Sequence, residues 1–466
     1  MDGHECTEIL LSQLERTNRL DSEFYKKKSL QIVDLLTSIS AKPLTNLVDV
    51  SDGNHMGISD KFIDEGIPYY RGQDIHNFFI EDANPICIDE DTFNVSYMHR
   101  SHLKKGDILL SIVGTIGEVS LVSKDDKATC NCKLAILRPH DVNKSALIAI
   151  YLKTKYGFDQ VDKFKRGAVQ MGYLLEDMNQ ILMPDFSDAL EKSIAKAIDG
   201  IKTLTERSNM QYADAEDCLL SEIGIDMSSI SNGGISVKSF SESFGNTGRL
   251  DAEYYQCKNY EVINMLNAKG TINTLCNIYD KTFAPNASEY YQYIELANIV
   301  KSGEIEGVDS IIGEDLPSRA RRLVKKGNVI VSSVEGSLES CALITESFDN
   351  ALCSTGFYVI DSEHYNSETL LVLLKSKPLQ MLLKRGCSGT ILTNITKDEF
   401  LQIPLPDISV STQDAVKEKV STAYVLRDKS KELLECAKLA VEMAIENDEA
   451  TAITWLESKI TELTKE

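Results

Sequence analysis

The chain repeats itself, and this duplication limits what it can fold into more than any other feature. Arg19-Leu20-Asp21-Ser22-Glu23-Phe24-Tyr25 returns 230 residues later as Arg249-Leu250-Asp251-Ala252-Glu253-Tyr254-Tyr255. Leu103-Lys104-Lys105-Gly106-Asp107-Ile108-Leu109-Leu110-Ser111 returns 221 residues later as Val324-Lys325-Lys326-Gly327-Asn328-Val329-Ile330-Val331-Ser332. Lys165-Arg166-Gly167 recurs as Lys384-Arg385-Gly386, and Met183-Pro184-Asp185 as Leu405-Pro406-Asp407. A period above 200 residues is far too long for a solenoid, whose repeats run to roughly 20–50. The pattern is that of a duplicated domain with a few loop insertions.

After the Pro-Asp punctuation each copy turns into a helical pattern. Ile194, Ile198, Ile201, Thr205, Ser208, Tyr212, Ala215 and Leu219 advance in steps of four and three. Val416, Val420, Ala423, Arg427, Ser430, Leu434, Ala437 and Val441 follow at a constant offset of 222. Both stripes are apolar at the ends and polar in the middle, as expected of two long helices paired through a heptad seam; packing of each stripe on its own domain is the alternative. Between the opening motif and these helices, GDILLSIVG and GNVIVSSVEG are short, branched apolar runs launched by a Lys-Lys-Gly turn, and read as buried strands. Ala146–Lys155 and Leu370–Leu383 read as helical.

The expected fold class is therefore α+β: two pseudo-repeated mixed α/β domains separated by two long helices that pair as an antiparallel coiled coil. The expected boundaries are an N-terminal helical segment over 1–18, a first domain over 19–187, a first helix over 188–230, a linker over 231–248, a second domain over 249–408 and a second helix over 409–466. No apolar run reaches the roughly 18 residues of a membrane span, and the acidic N-terminus does not read as a signal peptide. A soluble, cytoplasmic protein is expected. Eleven scattered cysteines without CxxC spacing read as reduced.

Catalytic motifs are missing. There is no phosphate-loop lysine, no dinucleotide-binding glycine pattern, no HExxH and no Asn-Pro-Pro-aromatic tetrapeptide. Gly114-Thr115-Ile116-Gly117 reads as a tight strand connection. His99 and His102 stand one helical turn apart but form no convincing metal pair. No catalytic or metal residue is assigned. Local basic chemistry remains: Lys163, Lys165 and Arg166; Arg319, Arg321 and Arg322, followed by Lys325 and Lys326; Lys384 and Arg385. Each cluster adjoins a glycine turn, where long side chains approach a phosphate chain closely. Gln170, Ser388, Thr390 and Asn394 follow the two Lys-Arg-Gly runs, and Arg71 and Gln73 offer the same side-chain types. Arg suits guanine and Gln or Asn suits adenine in bidentate bonding. A single such cluster reads first as a solvated charged loop; recurrence of Lys-Arg-Gly at what reads as the equivalent place in both copies brings binding level with that reading. Against this stand 49 basic and 71 acidic residues, a net charge of −22.

RLDAEYY, LKKGDILLSIVGTIGEVSLV, KRG followed by LEDMNQILMPDF or NITKDEFLQIPLPDI, and a long helix, all in duplicate, resemble the specificity subunit of type I restriction-modification systems over nearly the whole chain. The second copy departs from the pattern at Val334-Glu335-Gly336-Ser337. The resemblance implies that each domain is a target recognition domain reading one half of a split, asymmetric DNA sequence. It implies partners too: double-stranded DNA, two methyltransferase subunits docked on the helices, and motor/endonuclease subunits. No cofactor is then expected on this chain; S-adenosylmethionine belongs to the methyltransferase, and ATP and Mg to the motor. At about 1.5 Å per residue, Ile194 to Leu219 spans roughly 40 Å, near the ~34–36 Å between half-sites one DNA turn apart. The net negative charge implies weak DNA binding until the partners close around the duplex. The competing expectation is an acidic adaptor or decoy that occupies a methyltransferase without reading DNA. Its acids, however, are interspersed with lysines rather than gathered into a phosphate-like track.

Overall fold

The computed structural model describes residues 6–12, 14, 19–63, 65–83, 85–167, 170–230, 233–300, 303–389 and 393–465. It divides into two compact units, Met1–Leu204 with Asp428–Glu466, and Thr205–Arg427. Each unit holds one copy of the duplicated domain together with half of each long helix.

The Lys-Lys-Gly turns launch buried strands as expected. In the first copy Ile108–Ser111 is wholly buried and sits third in an antiparallel sheet ordered Val48–Asp52, Leu134–Pro139, Ile108–Ser111, Val119–Leu121. In the second, Val329–Ser332 takes the same place in Asn277–Ile278, Phe357–Asp361, Val329–Ser332, Cys341–Leu343. The turn is built alike in both. The Asp107 carboxylate accepts from the Lys104 amide (2.8 Å), and the Asn328 side-chain oxygen from the Lys325 amide (2.8 Å).

A second four-stranded sheet differs between the copies. The first copy has Phe62–Ile63, Ile86–Ile88, Ile67–Tyr70 and Thr129–Cys130; the second has Asp309–Ile312, Tyr290–Ile294, Leu352–Ser354 and Ala320–Leu323. The parallel pairing is common to both: Tyr70 lies opposite Cys130, and Ile294 opposite Cys353. The fourth strand, however, joins opposite edges. Where the second copy has Ala320–Leu323, the first has only a bridge between His102 and Thr129.

Each expected helix in the domains is a pair. Ser145–Lys153 and Lys155–Phe164 are separated by Thr154, and Ser367–Lys375 and Lys377–Gly386 by Ser376. Thr154 and Ser376 are extended, and Thr154 caps the second helix of its pair by accepting from the Gly157 amide. This N-cap chemistry ends one helix and starts the next within an apolar run. The Pro-Asp repeats close the domains. Leu182–Met183 pairs with Lys42–Pro43, and Pro404–Pro406 with Ala268–Thr271; Asp185 and Asp407 take ion pairs from Lys42 (3.1 Å) and Lys269 (2.6 Å).

The long helices are Asp188–Ile223 and Val410–Glu446. Within the first unit Ser187 meets Glu449 and Ile201 meets Ser430; within the second Ser208 meets Ala423 and Glu222 meets Ser409. The halves are therefore antiparallel in each unit, and the seam is the expected one. Ile194, Ile198, Ile201, Ala215, Leu219, Val416, Val420, Ala423, Ala437 and Val441 are buried, and Tyr212 packs half-buried against the second unit's core. The polar centre of the stripe makes specific bonds. Ser208 donates to the Ala423 carbonyl (2.8 Å) and Ser430 to the Ile201 carbonyl (3.3 Å). At the offset of 222 these two bonds are equivalents of one another. Leu434 departs from expectation: it is half-buried and Leu433 takes the fully buried place. The terminal helix Glu449–Thr464 supplies the reason, because Leu433 and Thr464 both pack on Gly200, and the buried face there is wider than one seam.

Candidate nucleic-acid interface

The opening motif of each copy is a clamp on the end of the second domain helix. Arg19 donates from Nη1 to the Phe164 carbonyl (3.3 Å) and from Nη2 to the Lys165 carbonyl (3.2 Å), while Asp21 accepts from its Nε and Nη2 (2.7 and 2.6 Å). Arg249 repeats the arrangement on the carbonyls of Gly386 (3.1 Å) and Cys387 (2.7 Å), held by Asp251 (2.9 and 2.6 Å). The Tyr25 and Tyr255 hydroxyls donate back to the carbonyls of Arg19 and Arg249 (3.0 and 3.1 Å). Carbonyls of a last helical turn lack intrahelical partners and carry partial negative charge, so a guanidinium satisfies them well. The hydrogen bonds from Arg19 and Arg249 hold both aspartates below the usual carboxylate range.

This clamp resets the register between the copies. Lys155–Phe164 and Lys377–Gly386 are each ten residues long and correspond at an offset of 222. The Lys-Arg-Gly runs, at an offset of 219, therefore do not occupy equivalent places, contrary to the sequence-based expectation. Lys165 and Arg166 follow the helix, whereas Lys384 and Arg385 lie in its last turn. The structural equivalent of Arg385 is Lys163, and both are stacked cations. Lys163 Nζ lies 4.5 Å from the Phe24 ring centre, and the Arg385 guanidinium 3.9 Å from that of Tyr254. Lys163 is only 8% exposed, and burial pulls its pKa down. It supports the clamp rather than presenting charge outward. Arg385 also donates Nε to the Tyr254 carbonyl (3.1 Å).

From the clamp each chain enters a hairpin. Arg166 and Gly172 exchange both backbone hydrogen bonds (2.8 and 2.7 Å), and Ser388 pairs with Asn394 at the same offset of 222. The residue after this rung is glycine in both, Gly167 at φ 129° and Gly389 at φ 137°. A Cβ on Gly167 would stand 2.2 Å from the Gln170 carbonyl oxygen, so no other residue fits there.

Each hairpin rests on the connection after the central strand. The Gly114 amide donates to Met171 O (3.0 Å) and the Tyr173 amide to Ile112 O (2.8 Å); correspondingly Glu335 donates to Thr393 O (3.0 Å) and Ile395 to Ser333 O (2.8 Å). A third turn joins them. The Ile112 amide donates to Lys133 O (2.9 Å), and the Ser333 amide to Gly356 O (2.8 Å). A fourth leads out of the parallel pair. Asp74 accepts from the Arg71 amide (2.7 Å) and Asn298 from the Glu295 amide (2.7 Å), each forming a reciprocal cap. An ideal Cβ on Gly72 would lie 3.3 Å from Lys133 Cβ and 3.7 Å from Val113 O, while Leu296 lies 3.9 Å from the Cβ position of Gly356. Four turns thus meet at one end of each domain.

The frame is shared, and the side chains on it are not. Arg71 of the first copy corresponds to Glu295, Gln73 to Ala297, Lys133 to Gly356, Gly114 to Glu335, Arg166 to Ser388, and Gly172 to Asn394. Gln73, Lys133 and Gln170 are exposed in the first copy; Lys384, Ser388 and Asn394 are exposed in the second. Arg71 and Arg166 are half-buried and tied to Asp74 (3.1 Å) and Asp177 (2.5 Å), and Lys165 to Asp162 (2.5 Å). Arg319 is exposed beside the third turn, its carbonyl accepting from Thr355 (2.9 Å). Arg321 and Arg322 lie on Ala320–Leu323, with the Arg322 guanidinium 5.8 Å from the ring centre of Tyr358, whose hydroxyl bonds the Ile395 carbonyl (2.9 Å). Thr390 lies outside the described residues. In the second copy the clamp and hairpin border an open cleft of about 620 Å³, whose lining includes Lys384, Ser388 and Thr393 together with Asp251 and Glu335.

Sequence reading singled out the Lys-Arg-Gly runs and missed Arg19, Arg249, Lys133 and the Gly167–Gly389 equivalence. The signal lay in the repeated Arg-Leu-Asp motif and in the helix offset of 222, which holds through the hairpins. His99 and His102 each engage a backbone carbonyl, of Asn94 (3.0 Å) and Phe93 (2.9 Å), and His102 stacks on Phe93 at 3.8 Å. Among the described residues no group of three or more His, Cys, Asp or Glu side chains is placed to hold a metal ion, and no helix is long and apolar enough to cross a membrane.

No protein-family model matches the chain, and no curated protein does. Among solved structures it is similar to the S subunit of a type I restriction-modification system from M. genitalium, at 12% identity over 89% of this chain and 95% of that one, with a TM-score of 0.35. It is similar also to an HsdS subunit from Thermoanaerobacter tengcongensis, at 13% identity over 90% of this chain and 95% of that one (TM-score 0.26). A third similar structure concerns complex assembly and conformational transition of the type I restriction-modification system, at 12% identity over 89% of this chain and 97% of that one (TM-score 0.25).

Proposed function

We propose that this chain is the sequence-specific DNA-recognition subunit of a type I restriction-modification complex. It reads a bipartite, asymmetric site and carries two adenine methyltransferase subunits together with motor/nuclease subunits. The observation that supports this reading is the doubled frame: the same clamp, hairpin and supporting turns occur twice, bearing different side chains. A duplicated frame with one set of side chains would suit a palindrome; two sets suit two unlike half-sites. In the first copy Arg71, Gln73 and Gln170 offer the bidentate donors and acceptors that suit guanine and adenine in the major groove, with Arg166 as a phosphate contact. In the second Asn394 and Arg319 take that part and Ser388 adds a single hydroxyl, with Lys384 as a phosphate contact. Methyl transfer then resides on the partner, into whose pocket the target adenine is flipped. Co-expression with a neighbouring methyltransferase, followed by single-molecule sequencing of modified adenines, tests the reading. A split motif with unlike halves is expected. Complex formation without any modified motif would instead favour the acidic adaptor.

A further inference from the structure

The two arginine clamps have a use that goes beyond holding a helix end. In each copy the guanidinium binds the two carbonyls at which the helix becomes the hairpin, Phe164 and Lys165 in one and Gly386 and Cys387 in the other. The next residue, Arg166 or Ser388, forms the rung just before the glycine of that hairpin. Arg19 and Arg249 are 9% and 12% exposed at the side chain, each is held by its aspartate in two bonds, and each lies over an aromatic ring, at 4.7 Å from Phe24 and 4.4 Å from Tyr254. Both are thus fixed in position and aimed at the hairpin root, and neither lies on the hairpin itself.

We propose that Arg19 and Arg249 are positioning residues for base discrimination, each setting one reading hairpin, so that each governs one half-site alone. This rests on the proposed function. Displacing a hairpin root by an ångström moves every side chain beyond it, and positioned chemistry is sensitive on that scale. A lysine keeps the charge and the contact with the ring, but cannot engage two carbonyls and a carboxylate in one plane.

The test uses the full chain with its methyltransferase, comparing wild type, Arg19→Lys and Arg249→Lys. Two readouts are needed: hydrogen exchange at the hairpin amides, and discrimination between matched and singly mismatched half-sites. Arg19→Lys is expected to speed exchange at Arg166 and Gly172 without altering Ile395. Discrimination at one half-site should fall by roughly tenfold, the scale of one bidentate base contact, with the other half unchanged. Arg249→Lys gives the mirror result. Equal loss at both halves, or weaker binding with discrimination intact, assigns the arginines to general stability and overturns the proposal. If the lysine variants do not fold, Asp21→Asn and Asp251→Asn, which keep the guanidinium and loosen only its brace, take their place with the same expectations. A wild-type complex that selects no split sequence overturns the proposed function, and this inference with it. A split sequence left unaltered by the variants overturns only the inference.

Discussion

The two copies place their charge differently on one frame. The first puts Arg71, Lys133, Lys165 and Arg166 around its four turns, balanced by Asp74, Asp162 and Asp177 behind them. The second has Glu295, Gly356, Cys387 and Ser388 at those positions, with Glu335 where the first has Gly114. Its cations, Lys384 and Arg319, stand beside the turns instead. What stayed constant after duplication is what sets backbone position: the clamp, the left-handed glycine, the reciprocal caps and the amide bonds between turns. What diverged is what projects from it. At these four turns the backbone frame is kept while the projecting side chains differ, so one frame presents two unlike surfaces; the larger change of backbone lies in the second sheet, whose fourth strand joins opposite edges.

The strongest way to break this comparison is to replace residues 20 to 185 with those of a relative. We expect one half of the methylated sequence to change completely and the other to stay; a change in both halves would show that the copies do not read independently. A sharper contrast is Arg166→Ala against Ser388→Ala, followed by DNA affinity across salt concentration. Removing a phosphate-neutralising cation should reduce the log-log slope by about 0.9, and removing the serine should leave it unaltered. Equal slopes would mean that the unlike charges of the two faces are not felt by DNA. The helix bonds test the symmetry of the frame: Ser208→Ala and Ser430→Ala remove equivalent, buried hydrogen bonds, and each should cost about 1 kcal/mol of stability by denaturant unfolding. A marked difference between them would show that the two seams are not energetic equivalents.

Much of this was legible in the sequence, for reasons that follow from which constraints are local. Ile108–Ser111 and Val329–Ser332 were readable because a Lys-Lys-Gly turn and a branched apolar run specify a buried strand within a few residues. The seam of the long helices was readable from its periodicity, except at Leu434, where a third helix that leaves no mark in the stripe widens the buried face. The split at Thr154 and Ser376 was hidden by the apolar character of both flanking helices. The candidate interface was only half visible. Lys-Arg-Gly is short enough to recur out of register, and the true correspondence is carried by hydrogen bonds between segments far apart in sequence, such as Gly114 to Met171 and Glu335 to Thr393. Lys163 and Arg385 looked like surface cations because nothing near them in sequence announces the ring of Phe24 or Tyr254.

The most direct test exchanges the reading element and keeps the frame. Grafting the seven residues Ser388–Asn394 in place of Arg166–Gly172 preserves the clamp, the glycine after the rung and both backbone bonds of that rung. The methylated sequence of the resulting complex then shows what the hairpin contributes. We predict that the half-site read by the first copy changes toward that of the second, while the other half is untouched. An unchanged sequence, or one altered in both halves, would contradict the account.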